Sequence, residues 1–562
     1  MENIIYKIKH HWVAISVAII LGVTMIAPIF YFQAKLNENF RGIPPKVVND
    51  VDFYYARIKD VVDGHSFLSN AYLFEHKNGL PQQVFFAEWL LAQPIKIFNL
   101  NINIVHLIYN FLLPAVAFIL TYLALFLISK SRFWSTSLSV FLFFGLYLLS
   151  FIRPVSPQFN FIFWLTQFIF LWLLIMEQKK RWVWFSAINF GLLFYIYPYY
   201  WTFYLIFFGI LTAVYFWKNK ELALRIAIIA AGGLILAIPY FYFNYLSARL
   251  PYYTETLTRL GMIYSHFPSG FRIIFWSALG FVVFGWFLWR KIITWDAKTQ
   301  FFISGIMASI IAVNQHIITG KNFEFSSHYD MSAMFFLIFV AAYLISQYSA
   351  NLKIILGIVV FVFSILGIKN YSERVFVIDK NVVYRQNYVP IFDWLSKNTE
   401  KDSVVYANID ISGLISVYTA NNIFYVREAN LFFISDAEVL DRFILNSFFE
   451  KFNEDFIINN DRSIYGVRYI DAFGHTVQAN KLLRLLGLKL KPEVYLPEEA
   501  IEKVITRAKE LQKNDFIDEL KKFRVDYLIW DKNKNPNWKI NAKNFKPVFK
   551  SDNLIIFKFL SS

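Results

Sequence analysis

Stretches of about twenty apolar residues, the length needed to cross the hydrocarbon core of a bilayer, recur along the first two thirds of this sequence. They lie at 12–33, 103–129, 133–152, 159–176, 182–197, 199–217, 222–245, 271–289, 299–317, 330–347 and 352–369. Their number predicts a polytopic α-helical membrane protein with about 11 transmembrane helices. Hydrophobic residues make up 57% of the 562 and charged residues only 17%, which excludes an ordinary soluble chain. The first segment is expected to remain as a span, since its apolar stretch is too long for a cleavable signal and no small-residue cleavage site follows it. With no cysteine, disulfides and thiolate metal sites are excluded.

A net charge of +15 raises the question of nucleic acid, but the basic residues sit mainly in short loops between apolar runs, where membrane topology accounts for them. Nucleic acid is therefore not an expected partner. Lys7 and Lys9, "SKSR" at 129–132, "QKKRW" at 178–182, "WKNK" at 217–220, "WRK" at 289–291 and Lys353 all fall on one side. By the positive-inside rule that side is cytoplasmic, the N-terminus with it. The opposite, extracytoplasmic side receives the loop 34–102 (loop one), "RPVSPQ" at 153–158, the loop 247–272 and "TGKNFEFSSHYD" at 319–330.

From about residue 370 the pattern becomes that of a soluble domain, so the expected division is 1–369 membrane module and 370–562 extracytoplasmic α/β domain. Strand-like runs "SVVYANI" (403–409), "NIFYV" (422–426), "VDYLIWD" (525–531) and "NLIIFKF" (553–559) alternate with amphipathic stretches such as "PEEAIEKVITRAKELQ" (497–512). Such alternation is an α/β signature.

Loop one opens with "NDVDFYYARIKDVVDGH", residues 49–65. Tyr54, Tyr55, Ile58, Val61 and Val62 recur at helical spacing, which predicts a short helix lying on the membrane surface or the helix bundle, with Asp52 as its cap and Gly64 at its end. Two readings of the carboxylates stay open. Asp52 is a cap and Asp50 a solvated loop residue; or the two share a small volume where one can take a proton from a hydroxyl or both can hold a divalent cation such as Mg or Mn. Arg57, Arg153, Arg249, Arg259, Lys321 and His328 are on the same side, and Gln315 and His316 approach it at the end of the ninth span. Carboxylates with converging phosphate-binding cations form a group-transfer constellation.

Secondary candidates have equally plain alternatives. Glu75 and His76 can add a second carboxylate to the site or form a loop salt bridge. Tyr197, Tyr200 and Trp201 can wall a sugar or lipid, or belong to an interfacial aromatic belt. The amide and imidazole of Gln315 and His316 are costly in lipid and so point to a cavity lining or an interfacial hydrogen bond. His266 and His328 lack the paired spacing of a zinc site.

The carboxylate-bearing loop directly after the first span, a short helix with Tyr55, Arg57 and Ile58 in a "Y-x-R-I" pattern, many further spans and a C-terminal α/β domain together resemble the GT-C superfamily of polyprenyl-phosphate-dependent glycosyltransferases. That superfamily includes protein O-mannosyltransferases, aminoarabinose transferases and oligosaccharyltransferases. The resemblance implies that Asp50 or Asp52 is the catalytic aspartate, and that "ETLTRLG" and "SSHYD" are elements on the phosphate side. It also implies a polyprenyl-phosphate-linked sugar donor and a glycan, lipid or protein acceptor, with membrane lipids around both. The chain departs from the pattern in lacking the "WWDYG" motif of oligosaccharyltransferases, of which "LIWDKN" at 528–533 keeps only "WD" and reads as a buried strand end. It also has no MIR-type insertion.

Two other classes compete. A lipid or glycan transporter or flippase predicts broken helices, mid-membrane charges and repeat symmetry, of which the spans show little. A non-catalytic glycan-binding membrane protein leaves both aspartates as structural residues. The sidedness is tested directly by protease applied to intact cells, which is expected to remove the chain after about residue 370. Full protection, together with a cytoplasmic reporter that is active at the C-terminus, contradicts it.

Overall fold

The computed structural model describes residues 10–45, 50–81, 84–322, 326–348, 352–378, 380–540 and 544–560. Lys7, Lys9, Asn49, residues 323–325 of "TGKNFEFSSHYD" and the side chain of Lys353 lie outside the described residues. Among the described residues, eight helices are long and apolar enough to cross a membrane, or nine if the bent pair Lys220–Leu236 and Ile238–Ser247 is one span. That is fewer than the expected eleven, because two apolar segments fold differently. Lys180–Ile196 forms a helix of only 17 residues. The segment 133–152 is helical from Arg132 to Val140, then opens into wide π turns over Phe141–Leu146 and a 3₁₀ turn at Ser150–Ile152. The opening lies where the Leu352–Val375 helix crosses: a Cβ on Gly367 would come within 1.9 Å of Phe144 O. The bent pair turns by 50° just before Pro239, which occupies the first turn of the second helix.

The Leu352–Val375 helix runs past the expected boundary at 369. Beyond it, the C-terminal sequence folds as the alternation predicts. After the small pair β1 (Ile263–Tyr264) and β2 (Lys321–Asn322), which are antiparallel and tie two interspan loops together, come β3 (Val404–Tyr406), β4 (Asn422–Ile423), β5 (Tyr527–Asp531), β6 (Phe545–Ser551) and β7 (Leu554–Phe559). The order is β4-β3-β5-β7-β6, with β4, β3 and β5 parallel and β5, β7 and β6 antiparallel. The amphipathic stretch becomes the Glu498–Leu511 helix. Asp531, the "WD" aspartate, ends β5 fully buried and accepts hydrogen bonds from the Tyr384 and Tyr388 hydroxyls, as a strand end and not as an open motif.

The apolar face of the loop-one helix is covered by protein: it shares a core with Leu113, Val155 and Ile196 of the bundle, one of the two expected partners, and also with the C-terminal region. This Val51–Val62 helix packs against the Ile409–Tyr418 helix of the C-terminal region, and Ile58, Val61 and Leu73 share one core with Ile411, Ile415 and Ile529. The main chain joins in as well: Ile423 N of edge strand β4 donates to Tyr72 O at 3.0 Å, which covers an otherwise open sheet edge. The division of the chain near residue 370 is thus not a division of the core.

Buried arginines hold the remaining loops to this unit. Arg259 is fully buried; its guanidinium donates to Asn430 O (3.2 Å), Ile434 O and Thr256 Oγ1 (3.1 Å) and pairs with Asp436. Replacing Arg259 by alanine leaves buried carbonyls and part of a buried ion pair without partners, and is expected to cost about 3–5 kcal/mol. Arg249→Ala, at an exposed site, is expected to stay within about 0.5 kcal/mol. Thermal unfolding in detergent measures both, and equal effects would contradict this placement.

Candidate functional site

Three interruptions of regular structure meet at one end of the bundle. Arg153 is extended (φ −75°, ψ 119°) just before Pro154, as the residue preceding a proline prefers. Tyr197 is extended (φ −163°, ψ 124°) before Pro198, which starts the Pro198–Phe216 helix. The turn Ser326–Tyr329 precedes the Asp330–Gln347 helix. To these the Val51–Val62 helix adds its first turn.

The side chains at these breaks converge. Arg153 Nη2 lies 2.9 Å from Asp50 Oδ2 and donates to the Tyr54 hydroxyl at 3.3 Å, with the guanidinium 5.8 Å from the Tyr54 ring centre. Asp50 and Tyr54 are four residues apart and so share a helix face. The Tyr197 hydroxyl and His328 Nδ1 are 2.5 Å apart, His328 stacks on Tyr199 at 4.7 Å, and the Tyr200 ring is 4.8 Å from that of Tyr197. Side-chain exposure is 47% for Asp50 and 28% for Arg153, so the ion pair is open to solvent from the aspartate side. Burial works against the Arg153 cation, but Tyr54, Asp50 and Tyr197 outweigh it and its pKa is raised. Burial also raises the Tyr54 pKa, with Arg153 opposing, so this phenol stays a neutral hydrogen-bonding group at neutral pH. Arg153 Nε is buried and has no hydrogen-bond partner among the described residues.

The two aspartates separate. Asp50, not Asp52, occupies the N-cap position, and its side chain makes no capping hydrogen bond. The expected cap at Asp52 is thereby corrected: the chain enters the helix two residues earlier than the carboxylate spacing suggests. Asp52 lies in the first turn, where the helix dipole favours it, 3.8 Å from Arg385 of the C-terminal region. Each carboxylate thus faces its own arginine, and among the described residues no three His, Cys, Asp or Glu side chains form a group that could hold a metal ion.

The other candidates take partners elsewhere. Arg57 is buried against Glu88 (2.7 Å) and Val84 O (2.8 Å). Arg249 is exposed beside Tyr245, and Arg259 is committed to Asp436. Gln315 donates to Lys321 O (2.9 Å), while the Lys321 side chain is exposed. His316 Nε2 meets Phe267 O at 2.7 Å. Glu75 pairs with Arg442 (3.0 Å) and His76 with Glu438 (3.1 Å), salt bridges from loop one to the C-terminal region. Trp201 stacks on Phe194 at 4.5 Å. The structure therefore brings together Asp50, Arg153, Tyr197, Tyr200 and His328, with Tyr54 as a member read from the sequence only as an apolar-face residue.

Below this group a polar chain enters the bundle. Asn110 Nδ2 donates to the Tyr55 hydroxyl (3.0 Å), Gln158 Nε2 donates to Asn110 Oδ1 (3.1 Å), and His106 stacks on Tyr55 at 3.8 Å. Polar residues inside apolar spans, here Asn110 and His106, are the signal that would have found it.

No protein-family model and no curated protein matches the sequence. Among solved structures, the chain is similar to the crystal structure of the Archaeoglobus fulgidus oligosaccharyltransferase in the apo form, with a TM-score of 0.43 and 11% identity, over 93% of this chain and 69% of that one.

His316 also abuts His475 of the Arg468–Leu485 helix, ring centres 5.7 Å apart and nearly perpendicular. Burial, then His316 and Lys491, lower the His475 pKa below its ordinary 6.5. The folded state thus binds fewer protons than the unfolded one, so the associated stability is present above pH 6.5 and lost as pH falls below it. Unfolding measured from pH 7 to 5 is expected to show that loss, and His475→Asn to flatten it; an unchanged slope would contradict the burial of a neutral ring.

Proposed function

We propose that the protein is a membrane glycosyltransferase that moves a sugar, with inversion, from a polyprenyl-phosphate-linked donor to an acceptor hydroxyl on the extracytoplasmic side, with the N-terminus cytoplasmic. The observation that carries this reading is the open Asp50–Arg153 pair at the end of the bundle. A half-exposed carboxylate next to a guanidinium with an unpartnered Nε offers a proton acceptor and a phosphate ligand side by side.

The acceptor oxygen attacks the anomeric carbon opposite the phosphate. A C–O bond forms as the bond to the phosphate oxygen breaks, and the hydroxyl proton passes to Asp50. The leaving polyprenyl phosphate gains charge as it departs, and Arg153 stabilises that charge. The pair supplies its own timing. Without donor, Arg153 is paired with Asp50; a bound phosphate draws the guanidinium toward itself and leaves the carboxylate open to the acceptor hydroxyl. Tyr54 keeps Arg153 in place, and Tyr197 with His328 offers hydrogen-bonding groups toward the sugar.

Membranes carrying the protein, incubated with a panel of polyprenyl-phosphate sugars, are expected to release polyprenyl phosphate. Asp50→Asn keeps shape but removes proton acceptance, and turnover is expected to fall by roughly 10²- to 10⁴-fold. Asp52→Asn, away from the pair, is expected to retain most of it. Wild-type turnover in both single variants and in the double variant would end the catalytic reading of loop one.

A further inference from the structure

In the C-terminal region most apolar surface is buried, and one segment departs furthest from this. "KLLRLLGLKLK", residues 481–491, closes the Arg468–Leu485 helix and the turn after it, and exposes Leu485 (82%), Leu486 (60%) and Leu488 (55%) together with Leu490. The display is rigid. Gly487 takes φ +67°, and Leu488 N donates back to Leu483 O at 2.9 Å, which ends the helix in a tight turn. Buried Asn480 then pins the returning strand: its Oδ1 accepts from Lys491 N (2.9 Å), and its Nδ2 donates to Lys491 O (2.9 Å) and Glu493 Oε1 (2.8 Å).

The position of this leucine turn says what it faces. Lys491 Nζ sits 4.2 Å over the ring of Phe267, which lies just ahead of the Phe271–Trp289 span. Higher in the same helix, His475 meets His316, inside the Ala297–Thr319 span. The turn is therefore anchored at the ends of two membrane helices. Lys481, Arg484, Lys489 and Lys491 interleave the leucines, against the single acid Glu493. Leucines alternating with long cations are what an interfacial element needs: apolar side chains enter the boundary between headgroups and acyl chains while the cations reach acidic headgroups.

We propose that residues 481–491 form a membrane-docking turn, which seats the C-terminal region on the bilayer leaflet of its own side through anionic phospholipid. Because the sequence has no cysteine, Leu488→Cys provides a single thiol for an environment-sensitive fluorophore, and Thr506→Cys, on the exposed side of the Glu498–Leu511 helix, a reference. The full chain is reconstituted at one copy per nanodisc, in phosphatidylcholine alone or with a quarter phosphatidylglycerol. The label at 488 is expected to emit at shorter wavelength than at 506, to be quenched by doxyl-labelled lipid, and to show a several-fold lower iodide quenching constant, more so with phosphatidylglycerol. Replacing Lys481, Arg484, Lys489 and Lys491 by glutamine is expected to abolish the difference between the two lipid compositions. Equal iodide access at 488 and 506 in both discs overturns the proposal. So does protection at 488 that appears only with two copies per disc, which would assign the turn to a protein contact.

Discussion

The packing of loop one onto the C-terminal region is the contact on which the candidate site depends. A 12-residue helix such as Val51–Val62 is marginal by itself in water, and its stability comes from its apolar face. Burial of a large side chain contributes on the order of 1.5–3 kcal/mol, and Tyr55, Ile58 and Val61 are all buried, in one core with Ile411 and Ile415. The backbone bond between Ile423 and Tyr72 fixes the register of the same contact. Asp50 heads this helix, so its distance to Arg153 is set by residues far along the chain.

The arginines near the loops divide by burial, and the division sorts structural from exchangeable charge. Arg57, Arg259 and Arg442 are almost wholly inaccessible and bound to carboxylates and carbonyls. Losing such a partner strands a buried charge, a penalty of about 3–5 kcal/mol. The Asp50–Arg153 pair is partly solvated, chiefly from the aspartate side, and solvent-exposed pairs are worth about 0–1 kcal/mol. In the proposed mechanism a phosphate would displace the carboxylate at little cost, which a fully buried pair would not permit. Weak pairing is the property that would let one arginine serve the resting site and the leaving group in turn.

Periodicity made much of this legible. The apolar spacing of Tyr55, Ile58 and Val61 marked the loop-one helix, and the strand-like runs at 403–409, 422–426, 525–531 and 553–559 each hold a strand of the sheet. Periodicity is silent, however, on what a face packs against: the membrane surface and the helix bundle both suit the loop-one helix, and the C-terminal region, which covers it together with the bundle, leaves no mark in the spacing. It also counts apolar residues without seeing crossings, which is why the segment opened by the Gly367 contact was read as a continuous span. At the site, Arg153, Tyr197, Tyr200 and His328 were identifiable as residue types at the right end of the bundle. Their convergence on Asp50 was not, since it arises from prolines at 154 and 198 breaking two helices side by side. Arg57, Arg259 and Arg442 show the converse limit: burial, which a sequence does not display, turns a phosphate-binding residue type into an internal tie.

In the proposed mechanism Arg153 passes from Asp50 to a donor phosphate. Cryo-electron microscopy of the full chain in nanodiscs, with a polyprenyl-phosphate sugar bound, tests it most directly. Phosphate density is expected within ion-pair distance of Arg153, with the Asp50 carboxylate turned toward the anomeric carbon. A donor phosphate held elsewhere, with the Asp50–Arg153 pair unbroken, would contradict it.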